Sequence, residues 1–296
     1  MPAPGRGDRS ATPPGSLLTV RAPARSTLAY RNVARILRPL FMVITKRDWS
    51  GGETIPTDRG IIVAANHMTN VDPVTMAHFL WDSGFVPRIL AKSSLFTIPV
   101  VGWALRRTHQ IPVYRNTSAA GESLREATQA LDDGECVVVF PEGTLTRDPD
   151  LWPMVGKTGV ARLALASRAP VIPVAQWGAQ DLLGRYSKVP HPIPPKLVTM
   201  RVGPAVDLDD LYDLPHDAAT LREATERVMV AITTLLEGIR GEQAPAVRFD
   251  ARRSSARPDD LGPDDKGTDD AGDVAPDEAA GTTDEARDGA GSAEAP

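Results

Sequence analysis

Asn66-His67-Met68-Thr69-Asn70-Val71-Asp72-Pro73 follows the apolar run Ile61-Ile62-Val63-Ala64-Ala65 and precedes a helical pattern over residues 74–80. An apolar run, a turn and a helix in that order read as a buried strand feeding a helix. His67 then falls just past the carboxyl end of a strand, where open α/β sheets hold their ligands. Asp72 lies five residues further on. On a continuous helix that spacing would set the two side chains about 140° apart, so they meet only if the chain turns between them. Pro73 marks such a turn, because proline favours the first helical position and aspartate the cap before it. The reading is a four-residue loop that folds His67 back over Asp72 at the mouth of a helix. A carboxylate held against an imidazole fixes its tautomer and stabilises the imidazolium, as a general base requires. Taken singly, Asp72 reads as an N-cap and His67 as a structural loop histidine. The catalytic reading rests on what accompanies them.

Outward from this stretch, strand-like runs alternate with helical ones. Residues 88–91, 136–140, 171–174 and 197–202 read as strands, and 111–113 as a short extended segment. Residues 118–131, 159–167 and 217–239 read as helices, the last capped by Asp217. Between 95 and 107, Pro99 and Gly102 are expected to break any long helix. Strands alternating with helices indicate an α/β fold with a mainly parallel sheet. Residues 49–241 are the expected catalytic domain.

The chain has 296 residues and a net charge of -5, unevenly spread. Residues 1–47 carry nine bases and one acid, whereas 14 acids and five bases follow from Asp250 onward. Residues 1–26 and 250–296 are rich in Pro, Gly, Ala and charge and are expected to be disordered. Residues 32–46, within a segment assigned to 27–48, read as a basic amphipathic helix, bent near Pro39. Such a helix can lie in an anionic membrane surface; the alternative is a helix packed on the domain with a solvated basic edge. No run reaches the ~18 apolar residues of a membrane span. The first 30 residues lack the apolar core of a secretory signal peptide. Cys136 is the single cysteine, which excludes an intrachain disulfide and a cysteine-based metal site.

Other groups stand at expected element ends. Phe140-Pro141-Glu142-Gly143-Thr144 closes a strand with an acid, a glycine and a hydroxyl. Arg115 follows the extended segment 111–113, and Arg147 follows Thr144 by three residues. Lys157 stands in Gly156-Lys157-Thr158-Gly159 just ahead of a helix, a place suited to a phosphate, although the glycine spacing is not that of a P-loop. Read singly, the Phe140 block is an ordinary strand-to-loop turn and Arg115 a surface charge.

Together these blocks resemble the lysophosphatidic acid acyltransferase family, the 1-acyl-glycerol-3-phosphate acyltransferases. His67 with Asp72 resembles its His-x4-Asp block. Lys92 onward to Ile111-Pro112-Val113-Tyr114-Arg115 resembles its second block, Phe140 to Thr144 its third, and Val171-Ile172-Pro173-Val174 its fourth. The third block usually continues with arginine; Leu145 stands there instead. Thr69 stands where the family often has serine.

The resemblance implies direct acyl transfer from acyl-CoA or acyl carrier protein to a lysophosphatidic acid hydroxyl on a membrane's cytoplasmic face. His67 is the implied base and Asp72 its orienting group. Arg115, Lys157 and Arg147 would hold the acceptor phosphate, and Glu142, Gly143 and Thr144 would order the acceptor site. It implies no metal, redox cofactor or nucleic-acid partner. Three alternatives stay open: another lysophospholipid or glycolipid acceptor, a silent membrane-binding homologue, and a metal-dependent hydrolase using His67, Asp72 and His78.

Overall fold

The computed structural model describes residues 23, 26–114 and 120–251. Arg115, most of the segment 1–26 and the tail from residue 252 lie outside the described residues. Seven strands form one sheet in the order β1-β7-β6-β2-β5-β3-β4. They are β1 (Thr45–Ser50), β2 (Ile61–Ala65), β3 (Pro87–Lys92), β4 (Ile111–Val113), β5 (Cys136–Val139), β6 (Val171–Trp177) and β7 (Lys196–Val202). All neighbours pair in parallel except β6 and β7. The helices are α1 (Leu28–Ile44), α2 (Asp72–Asp82), α3 (Pro99–Arg107), α4 (Ala120–Asp132), α5 (Gly159–Ser167), α6 (Ala179–Leu182) and α7 (Ala218–Arg240).

The all-apolar run of β2 is buried at every position because both faces of the sheet are covered. Its side chains alternate between two cores. Ile62 and Ala64 join Val137 and Val139 of β5 under α4, α5 and α7. Ile61, Val63 and Ala65 join Cys136, Val138 and the Met76, Phe79 and Leu80 face of α2. Since β2, β5 and β6 are parallel, the loops after β2 and β5 leave the same edge of the sheet. His67 and Glu142 follow β2 and β5 at that edge.

Several elements depart from the sequence reading. The N-terminal helix spans Leu28–Ile44 and continues through Pro39. Lys46 and Arg47 belong to β1, which pairs with β7, so residues 45–48 are part of the sheet and not of the helix. β1 escapes notice because it is polar, yet its burial alternates along the strand, as an edge strand's should. Pro99 starts a helix, as its fixed φ and missing N–H allow. Gly102 sits inside that helix because a Cβ there would come within 2.1 Å of the Phe96 carbonyl oxygen. β6 runs three residues past Val174.

α1 has two faces. Tyr30 stacks on Trp81 of α2 at 5.3 Å, and Phe41 is also buried. Arg38 of α1 and Arg47 of β1 both bind Asp82, at 2.7 and 3.1 Å. Ile36, Leu40 and Val43 are exposed at i, i+4 and i+7, one helical face.

Candidate active site

The loop after β2 folds His67 onto Asp72. His67 Nδ1 lies 3.0 Å from Asp72 Oδ2. The same oxygen accepts the Met68 N–H at 2.5 Å and the Thr69 N–H at 2.8 Å. Asp72 therefore differs from a simple N-cap. It is the first residue of α2, after Val71, and its side chain turns back to the loop's N–H groups. Asp72 is fully buried, and its Oδ1 has no hydrogen-bond partner among the described residues. With Oδ2 accepting, Nδ1 carries the imidazole proton and Nε2 is left with its lone pair. The ring stacks on Phe140 at 4.3 Å, with 26° between planes. Nε2 makes no hydrogen bond to the described residues.

Glu142 braces this loop from beneath. Its Oε1 accepts the His67 N–H at 2.9 Å and its Oε2 the Met154 N–H at 3.0 Å. The His67 carbonyl in turn accepts the Thr146 N–H at 2.7 Å. Glu142 is fully buried, and that burial pushes its pKa up to about 8 against the pull of the two N–H donors; Asp72 adds to the rise. Both Glu142 oxygens are thus engaged by backbone N–H groups, one of them that of His67, and the side chain is fully buried.

Gly143 has φ +72, and Lys157 lies where its side chain would be: an added Cβ would stand 2.9 Å from Lys157 Cδ. The Lys157 N–H also binds the Pro141 carbonyl at 2.8 Å. Lys157 is thus brought to the end of β5, beside the Glu142 turn and just before α5. Thr144 and Arg147 are half-buried in the same loop. Arg115 lies outside the described residues.

Two residues were missed in the sequence. Gln176 is fully buried near the end of β6. Its N–H and Nε2 donate to the Asn66 Oδ1 and carbonyl, at 2.9 and 3.0 Å, and Asn66 Nδ2 returns a bond to its carbonyl. This ladder fixes the residue before His67. A polar side chain ending an apolar strand was its only signal. Arg185 donates through Nη1 to the carbonyls of Thr146 and Asp148, at 3.0 and 2.7 Å. Backbone acceptors leave no mark in a sequence.

His78 does not join His67 and Asp72. It packs edge-on to Trp49 at 5.0 Å, with Nε2 3.7 Å from Asp82 Oδ2. The hydrolase reading thereby loses its third ligand, and no group of three or more His, Cys, Asp or Glu among the described residues could hold a metal ion.

Residues 46–177 match the family model described as Acyltransferase. A 1-acyl-sn-glycerol-3-phosphate acyltransferase of Bacillus subtilis is 32% identical over 129 residues, 43% of this chain and 60% of that protein. The chloroplastic 1-acyl-sn-glycerol-3-phosphate acyltransferase BAT2 of Brassica napus is 28% identical over 140 residues, 47% of this chain and 39% of its own. The matches span less than two thirds of these relatives' length. The crystal structure of the 1-acyl-sn-glycerophosphate acyltransferase of Thermotoga maritima shares the fold, with a TM-score of 0.53 at 24% identity over 73% of this chain and 81% of that one. The span matched by that family model, residues 46–177, holds the His67–Asp72 pair and Glu142.

Proposed function

We propose that this chain transfers a fatty acyl group from a thioester, acyl-CoA or acyl carrier protein, to the free hydroxyl of a 1-acylglycerol 3-phosphate, giving phosphatidic acid. The observation that carries the reading is the His67 Nδ1 to Asp72 Oδ2 contact, with Nε2 left free of the described residues at the carboxyl edge of a parallel sheet. Nε2 takes the hydroxyl proton as the oxygen attacks the thioester carbonyl. The carbon–sulfur bond then breaks, and the proton passes from Nε2 to the departing thiolate. Asp72 orients the ring and stabilises the imidazolium between those steps. The transfer is direct. No Gly-x-Ser-x-Gly elbow is present in the sequence, and Cys136 is buried in β5, where burial drives its thiol pKa upward.

Lys157, with Arg147 and Arg115, is the proposed cradle for the acceptor phosphate. A cation and a phosphate in a partly dry site form charge-assisted hydrogen bonds worth roughly 1.5–3 kcal/mol each. The exposed Ile36–Leu40–Val43 face of α1 is proposed to rest on the cytoplasmic face of a membrane, where the lysolipid acceptor's acyl chain would be embedded. No helix among the described residues is long and apolar enough to cross one.

The test is purified protein with acyl-CoA and a panel of lysolipids and neutral alcohols, read by product mass. Phosphatidic acid from lysophosphatidic acid is expected to dominate. His67→Ala is expected to stay folded by circular dichroism and to lose about 10²- to 10⁴-fold in turnover. A folded His67→Ala protein with near-normal turnover would remove the general base. A stronger product from a lysophospholipid with a larger headgroup, or from a glycolipid, would move the acceptor while keeping the chemistry.

A further inference from the structure

We infer that the 3-10 turn Ser93–Thr97 and α3 form a second lipid-binding element beside α1, and that the two together seat the protein on an anionic leaflet. The inference does not depend on the acyl-transfer reading. Leu95, Ile98, Val100, Val101 and Trp103 are all exposed, Val100 to 77% and Trp103 to 53%, and Gly102 is the only buried residue of α3. A short helix that exposes its large apolar side chains and buries a glycine has its apolar face turned away from the core. Contiguous apolar surface of this kind marks an interaction site.

The turn and the helix are locked into one unit, so the apolar side chains cannot fold inward. Gly102 packs against the Phe96 carbonyl, which only a residue without a Cβ can do, and its N–H binds the Ile98 carbonyl at 2.6 Å. Arg106 also donates to the Phe96 carbonyl. α3 touches α1, whose outward face carries Ile36, Leu40 and Val43.

Charge decides the occupant. Neither α1 nor the stretch 92–107 contains an Asp or Glu, while Arg35, Lys92, Arg106 and Arg107 are exposed on them. Glu126, which shares a pocket with the 93–97 turn and Arg106, is paired with Arg88 at 2.6 Å, so the surface is apolar with an excess of bases and is matched by lipid tails beneath anionic headgroups. A second copy of the same surface would set these bases against each other. An exposed tryptophan such as Trp103 suits the headgroup level of a bilayer.

Vesicle flotation of the full chain tests this, using phosphatidylcholine alone and phosphatidylcholine mixed with phosphatidylglycerol. The variants are Val100→Ser/Trp103→Ser on α3, Ile36→Ser/Val43→Ser on α1, and all four together. Each pair is expected to lower binding to the anionic vesicles on the order of 10-fold or more, since each removes two large apolar side chains from lipid contact. The quadruple variant should lose more than either, and salt should weaken what remains. Circular dichroism and melting should match the parent in every variant. Parent-like binding by a folded Val100→Ser/Trp103→Ser protein would overturn the inference. So would a dimer in sedimentation that this variant alone abolishes, because the face would then be a contact between copies. Vesicle binding as described with no acyl transfer from any thioester would sink the acyltransferase reading and leave this one standing.

Discussion

Glu142 holds the His67 loop from below, and its ionisation carries a cost that can be read against pH. In the unfolded chain it titrates near 4.5, and in the fold burial raises that to about 8. A carboxyl whose folded pKa is raised binds its proton more tightly in the fold. Its contribution is fully present below pH 4.5 and is lost as pH rises through about 8. Glu142→Gln cannot titrate, and its NH₂ cannot accept one of the two N–H donors, so it should be less stable than the parent in acid. The stability advantage of the parent over Glu142→Gln should shrink by a few kcal/mol, on the order of magnitude that linkage gives, between pH 5 and 8.5. Urea unfolding at the two pH values measures it. A gap independent of pH would mean that Glu142 is no harder to ionise inside the protein than outside. At this scale the pair His67 and Asp72 was legible, because Pro73 forces the turn that brings them together. The partners of Glu142 were not, because one of them, the Met154 N–H, lies twelve residues away across an irregular loop.

Helix α2 carries Asp72 at one end and Asp82 at the other, and the second is the clamp for α1. Arg38 and Arg47 neutralise Asp82 from α1 and β1. His78, one turn earlier, is packed between Phe41 and Trp49. Burial lowers its pKa from 6.5 to about 4, Asp82 opposing the shift and the two arginines aiding it. A histidine with a depressed folded pKa contributes stability above its unfolded value, and loses it as pH falls from about 6.5 through about 4. His78→Phe keeps a ring between its aromatic neighbours and removes the titration. The parent should lose on the order of 3 kcal/mol relative to this variant between pH 7 and 4, read from melting at both pH values. Parallel loss in the two proteins would place the acid sensitivity elsewhere. Elements with strong periodicity or unbroken apolar runs, such as β2, β5 and α7, were read correctly from the chain. α3 was not: Pro99 and Gly102 looked like breakers, and only the close approach to Phe96 shows that one begins the helix and the other permits its packing.

The strand order sets the whole site, because β2, β5 and β6 lie side by side and in parallel. Three loops then meet at one edge, and the far end of the chain supports them. Arg240, the last residue of α7, lies over the rings of Trp152 and Trp177 at 4.0 and 4.5 Å and donates to the Asp150 carbonyl at 2.8 Å. Beyond α7 the chain returns. The Phe249 carbonyl accepts the Val155 N–H at 2.9 Å, and Arg248 binds Glu226. A boundary at residue 241, natural from composition, therefore cuts through packed structure. Val155 follows Met154, which holds Glu142, which holds His67, so loss of the Phe249 strap should reach His67. A chain ending at Ala251 should keep its turnover number, whereas one ending at Gly241 should lose turnover about 10-fold and melt at lower temperature. The factor is what about 1.4 kcal/mol of lost positioning gives. Turnover with saturating acyl-CoA and lysophosphatidic acid, beside melting curves for both truncations, decides it. Equal turnover in the two would show that the strap stabilises the domain without reaching His67. A loss already present at Ala251 would mean that the acidic tail itself takes part.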